Sequence, residues 1–146
     1  MKNQPPLSAL LSALEFAAAK HSRQRRKDSA ATPYINHPIA VAATVARAGG
    51  VEDLATLQAA VLHDTIEDTE TTAEELTQIF GAEVCGLVLE LTDDKSLPKQ
   101  ERKRRQIEHA PSLPPKAKQI KMADKICNLG DITPTQPHDW TIERKR

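Results

Sequence analysis

Apolar residues recur along this chain with helical spacing. Leu7, Leu10, Leu11 and Leu14 sit at i, i+3, i+4 and i+7, as one apolar face of a helix requires. Val84, Leu87, Val88 and Leu91 repeat the pattern, and Leu54, Leu57, Val61 and Leu62 come close to it. Thr72 and Glu75 form a capping-box pair that opens a short helix, and Phe80-Gly81 reads as its end. Pro38 in a first turn and Gly49-Gly50 after the last predict a helix from about Pro38 to Ala48. Pro98 opens a charged helix that stops before Pro111. Pro114-Pro115 closes the loop, and a last helix runs from Lys116 to about Asp131. Residues Thr133 to His138, with two prolines, read as loop. No segment alternates with the period of a strand. The expected architecture is a single all-α domain, a compact bundle of roughly six or seven helices spanning residues 1–146.

Composition narrows the picture. The 146 residues suffice for one core, and with only four aromatics that core must be built of Leu, Ile, Val and Ala. Twenty basic and twenty acidic side chains cancel, which argues against a nucleic-acid binder acting through bulk charge. No apolar run is long enough for a membrane span, and the polar start, Met1 to Pro6, lacks a signal-peptide core. Cys85 and Cys127 make neither a zinc-type pair nor a disulfide framework, so a reducing cytoplasm fits.

Chemistry enters with four residues, His37, the pair His63-Asp64, and Asp124. If they converge, they offer two nitrogen and two oxygen donors to one divalent ion. That mix suits manganese, iron, zinc or magnesium. Asp124 lies among Ile120, Met122, Ala123, Ile126 and Leu129, where an uncompensated carboxylate would be costly to bury. Glu67 and Asp68 each fall four residues after a member of the His-Asp pair, where a general acid or base could reach metal-bound water. Taken singly, each residue also has an ordinary reading, as a cap, a surface group or part of a solvated acidic turn.

Five segments carry a family resemblance: RRKDSAATPYINHP (Arg25 to Pro38), AAVLHDTIEDT (Ala59 to Thr69), FGAEV (Phe80 to Val84), LTDDKSLPKQERK (Leu91 to Lys103) and KMADKICNLGDI (Lys121 to Ile132). Together they resemble the small alarmone hydrolases of the HD superfamily, of the metazoan SpoT homologue type, and the hydrolase domain of RelA/SpoT enzymes. The resemblance implies a manganese-dependent hydrolase, with one ion per site, that removes the 3′-pyrophosphate of ppGpp or pppGpp to leave GDP or GTP. By motif position, His37, His63, Asp64 and Asp124 match the metal ligands, and Glu67 and Asp68 match the catalytic pair. Arg26, Lys27, Lys99, Asn128 and Arg144 match substrate contacts.

Two departures stand out. The family usually carries arginine where this chain has Gly130, and it continues past the position of Arg146 with a further helix. The bundle is therefore expected to be truncated at its C-terminus and to expose an apolar patch, with homodimerisation through the gap as one outcome. Two alternatives stay open beside the alarmone hydrolase. One is another HD-superfamily phosphohydrolase, such as an NADPH 2′-phosphatase. The other is a non-catalytic alarmone-binding module.

Overall fold

The computed structural model describes residues 4–27 and 29–132. Within them the chain forms eight α-helices: α1 (Pro6–Lys20), α2 (Asn36–Ala48), α3 (Leu54–Leu62), α4 (Thr65–Asp68), α5 (Ala73–Phe80), α6 (Ala82–Leu91), α7 (Lys99–His109) and α8 (Pro115–Ile132). A 3-10 turn, Ala110–Ser112, carries Pro111 between α7 and α8. The all-α expectation is met. The count exceeds six or seven because α4 is a single turn, too short to show a period. The segment after Ile132, and with it the expected missing helix, lies outside the described residues.

The centre of the molecule is α3. It packs against α1, α2, α6 and α8, and Thr56, Gln58, Ala59, Ala60, Val61 and Leu62 are all buried. Asp53 starts it as a cap, accepting the Thr56 amide at 3.0 Å. Gln58 is tolerated in this interior because its Nε2 donates to the Ala9 carbonyl of α1 at 3.1 Å. Burial of the Val61 and Leu62 side chains contributes roughly 1.5–3 kcal/mol each.

The leucine stripe of α1 is a correction. Leu7 and Leu11 are 78% and 64% exposed, and the buried face is the alanine ridge Ala9, Ala13 and Ala17. Small side chains let α1 lie close against α3, which leaves two of the leucines outside. The stripe on α6 behaves as expected, with Val84, Leu87 and Val88 buried.

Thr72 caps α5 by accepting the Glu75 amide at 3.1 Å. The return half of the capping box is replaced, because the Glu75 carboxylate pairs with Lys20 of α1 at 3.3 Å. Gly81 then turns the chain from α5 into α6 at φ 98°, a conformation a side chain would strain.

Two surfaces are thinly covered. No residue of α7 is buried. On α8, Met122, Ile126 and Leu129 are 65%, 52% and 63% exposed along the face opposite the core residues Ala117, Ile120 and Ala123.

Candidate metal centre

Three of the packed helices deliver the polar cluster. His37 is the second residue of α2 and buried. His63 and Asp64 occupy the break between α3 and α4. Asp124 projects from the middle of α8, on the side next to the core face. The break is held by side chains. His63 Nδ1 donates to the Ala60 carbonyl at 2.6 Å, and the Thr65 hydroxyl donates to the Leu62 carbonyl at 2.7 Å. Carbonyls of the last turn of α3 are thus satisfied while the backbone turns away. The Nδ1 bond also sets the tautomer, leaving the His63 Nε2 lone pair aimed into the cluster.

The donor atoms converge. Ligand atoms of His37, His63 and Asp124 all lie within 4.8 Å of one another. His37 Nε2 stands 2.7 Å from Asp124 Oδ1. His63 Nε2 stands 3.1 Å from Asp64 Oδ2 and 3.4 Å from Asp124 Oδ1. These two contacts lack hydrogen-bond geometry, so the buried Nε2 has no hydrogen-bond partner among the described residues.

The electrostatics run the same way. Burial works against a charged His63, but Asp64 and Asp124 outweigh it and lift the imidazole well above its ordinary 6.5. Burial likewise works against a charged Asp124, and the two imidazoles outweigh it and hold the carboxyl well below 3.8. The cluster therefore draws positive charge, and a divalent cation would supply it where protons otherwise must. An unpartnered buried imidazole nitrogen beside two carboxylates fits such an ion, and the nitrogen and oxygen donors fit a manganese-, iron-, zinc- or magnesium-like one.

Around the cluster lies a polar cavity of about 220 Å³, lined among others by His63, Asp64, Glu67, Asp124 and Asn128. Glu67 is half-buried in its wall, and its Oε1 accepts the Asp93 amide at 2.7 Å. Burial raises its pKa above 4.5; the amide bond opposes this and the neighbouring carboxylates of Asp93, Asp68 and Asp64 reinforce it. Asp68 pairs with Lys95 from the α6–α7 loop. The side chain of Asp93 accepts Gln106 Nε2 of α7 at 2.5 Å.

The expected substrate contacts are more scattered. Asn128 lines the cavity one turn after Asp124. The Arg26 guanidinium lies over the Tyr34 ring, 5.9 Å from its centroid. It stands on a loop tied by Arg26 N to Thr32 O at 2.8 Å and Tyr34 N to Gln24 O at 2.9 Å. Lys27 is exposed on the same loop, and Lys99 is exposed at the start of α7; neither lines the cavity. Arg144 lies outside the described residues.

Four participants were not singled out for the site by sequence. Tyr34 donates its phenol to Asp64 Oδ2 at 2.5 Å. Burial and the Asp64 charge raise its pKa, so the proton stays on the phenol and the bond holds the carboxylate. Asp93, Lys95 and Gln106 come from the α6–α7 segment. A polar residue in an exposed, charged stretch carries no signal of what it will touch across the fold.

An HD-domain family model matches residues 13–145. The chain belongs to the HD-domain family. Within the HD-domain family it is 55% identical, over 92% of its own length and 75% of theirs, to the Xenopus tropicalis and Homo sapiens proteins named guanosine-3′,5′-bis(diphosphate) 3′-pyrophosphohydrolase MESH1. A solved HD-domain structure, of a metazoan ortholog of SpoT that hydrolyzes ppGpp and plays a role in starvation responses, superposes with a TM-score of 0.87. It is 48% identical and covers 97% of this chain and 80% of that one. Among the described residues no helix is long and apolar enough to cross a membrane.

Proposed function

We propose that this protein hydrolyses the 3′-pyrophosphate of ppGpp or pppGpp, giving GDP or GTP and pyrophosphate, with manganese in the His-Asp cluster. The observation that carries the reading is a coincidence. The chain shares 55% identity with named 3′-pyrophosphohydrolases, and it brings His37, His63 and Asp124 within 4.8 Å of one another beside the half-buried Glu67. The free cysteines Cys85 and Cys127 support a reducing, cytoplasmic setting.

His37, His63, Asp64 and Asp124 would hold the ion, with Tyr34 steadying Asp64. A bound divalent cation supplies Lewis acidity at the phosphorus and lowers the pKa of water. Glu67, whose burial favours its proton-accepting range, takes the proton of the attacking water. Asp68, paired with Lys95, orients that water from the other side. The water oxygen joins the phosphorus bonded to the ribose 3′ oxygen, that P–O bond breaks, and the proton passes to the 3′ oxygen. Arg26, Lys27, Lys99 and Arg144 supply local cations for the nucleotide's phosphates in a protein that is neutral overall, and Asn128 supplies an amide contact.

The test is to incubate purified protein with ppGpp, with manganese or with chelator, and to identify products. GDP and pyrophosphate with manganese alone are expected. Release of inorganic phosphate, or tight binding without turnover, overturns the reading.

A further inference from the structure

A second, larger cavity of about 340 Å³ lies beneath α7, between that helix, the end of α6 and the approach to α8. It adjoins the metal cavity. Leu91, Asp93, Gln106 and Lys121 line both, so the Asp93–Gln106 hydrogen bond stands between them like a partition. The volume reaches the lower end of small-molecule sites.

Its charges are unusual. Arg102 points into it, and the Arg102 Nε is buried with no hydrogen-bond partner among the described residues. The next arginines on the same helix are paired, Arg104 with Glu101 and Glu108, and Arg105 with Glu101 at 3.1 Å. The carboxylates nearest the cavity are already engaged. Asp93 accepts Gln106, and Asp94 accepts the Ser96 amide at 2.9 Å. Glu90 is exposed at the rim. A buried guanidinium edge without an acceptor is costly, and a bound anion would satisfy it. Lys121, in no ion pair among the described residues, would add a second positive contact from α8.

Part of the remaining wall is apolar, with Leu91, Leu97 and Leu113 facing the same space beside the polar Thr92, Arg105 and His109. A lone phosphate would leave that wall wet. A phosphate joined to a flat, weakly polar body would fill it, with the phosphate on Arg102 and Lys121 and the ring against the leucines.

We propose that the cavity beneath α7 is a phosphate-binding subsite for a nucleotide, separate from the metal cluster and joined to it through the Asp93–Gln106 partition. The choice of a nucleotide rests on the hydrolase reading above; the anion site itself does not. The phosphate comes either from the far arm of the substrate in the metal cavity or from a second nucleotide.

Isothermal titration of the full chain with inorganic pyrophosphate, in chelator, tests the site. Arg102→Met should weaken binding roughly tenfold or more, since a charge-assisted bond to arginine is lost. Leu113→Trp, which fills the cavity without touching charge, should weaken it as well, and Asp124→Ala should leave it intact. Equal pyrophosphate affinity in wild type, Arg102→Met and Leu113→Trp overturns the proposal. Kinetics then separate the sources. If the subsite holds the substrate's own arm, Arg102→Met raises KM for ppGpp and spares guanosine 3′-diphosphate, with kcat unchanged in both. If it holds a second nucleotide, KM is unchanged and the response of the rate to added GDP disappears. A wild-type chain that binds pyrophosphate through Arg102 yet leaves ppGpp intact sinks the hydrolase reading and leaves the anion site standing.

Discussion

Helices α3 and α7 reach the same site from opposite conditions. From Thr56 to Leu62 every residue of α3 but Leu57 is buried, and the helix ends on His63. No residue of α7 is buried, yet its Gln106 holds Asp93, whose amide holds Glu67. The candidate cation-binding donors thus inherit the rigidity of the core, while the geometry of the candidate acid-base pair hangs on a few exposed or half-buried hydrogen bonds. Damage on the α3 side should strike metal binding and activity together. Damage on the α7 side should leave metal binding intact and act on turnover or substrate affinity.

The sharpest break of that contrast is Asp124→Ala. It removes the carboxylate that stands beside both histidines, so activity should fall to background and the manganese-induced rise in melting temperature should vanish. Retained ppGpp turnover would show that the buried cluster is not the working centre. Glu67→Gln comes next. It should lower kcat by roughly 10²–10⁴-fold while manganese affinity stays near wild type. The same residue sets a pH signature. A carboxyl whose pKa is raised accepts no proton once it is itself protonated, so kcat should fall as pH drops, on a limb lying above the ordinary 4.5 of glutamate. A pH profile of Glu67→Gln that keeps this limb would move the base elsewhere.

Gln106→Leu tests the α7 side directly. Losing the bond to Asp93 should lower kcat by up to about tenfold, the worth of one hydrogen bond, with the thermal midpoint within a degree or two of wild type. A large drop in stability would mean that α7 is clamped more firmly than its exposure indicates. The smallest effect has the opposite sign. A Cβ added at Gly130 meets nothing within 4 Å, so Gly130→Ala should stabilise α8 by about 1 kcal/mol. That corresponds to a rise of roughly 2–4 °C in the melting temperature, with no change in kcat.

What could be read from the chain follows the same division. The candidate ligands His37, His63, Asp64 and Asp124 stood out because imidazoles and carboxylates beside apolar helix faces need a reason, and the fold gathers His37, His63 and Asp124 with Asp64 beside His63. The α6 stripe was legible because one face of that helix meets the core and the other meets water. The α1 stripe misled, since periodicity reports which residues share a face and not whether leucines or the alanines beside them are buried. Asp93, Lys95 and Gln106 were illegible for a different reason. Each is an ordinary polar residue in an exposed segment, and its partner lies 26, 27 or 13 positions away. Tyr34 was illegible in the same way, since its hydroxyl makes its contact 30 residues downstream at Asp64.

The break between α3 and α4 has a consequence for how this chain can vary in length. In an unbroken helix neighbouring side chains diverge by about 100°, so two adjacent residues face one point only if the backbone turns between them. At His63 and Asp64 the regular helix is interrupted, and the Ala60 and Leu62 carbonyls are satisfied by side chains there. One residue gained or lost within α3 would swing the pair away from His37 and Asp124 and dismantle the cluster. The same change between Ser96 and Pro98, in the loop ahead of α7, would leave all four donors in place. Insertions and deletions are therefore barred on one side of the cavity and admissible on the other, and a library of single-residue length variants would show survivors on the α7 side alone.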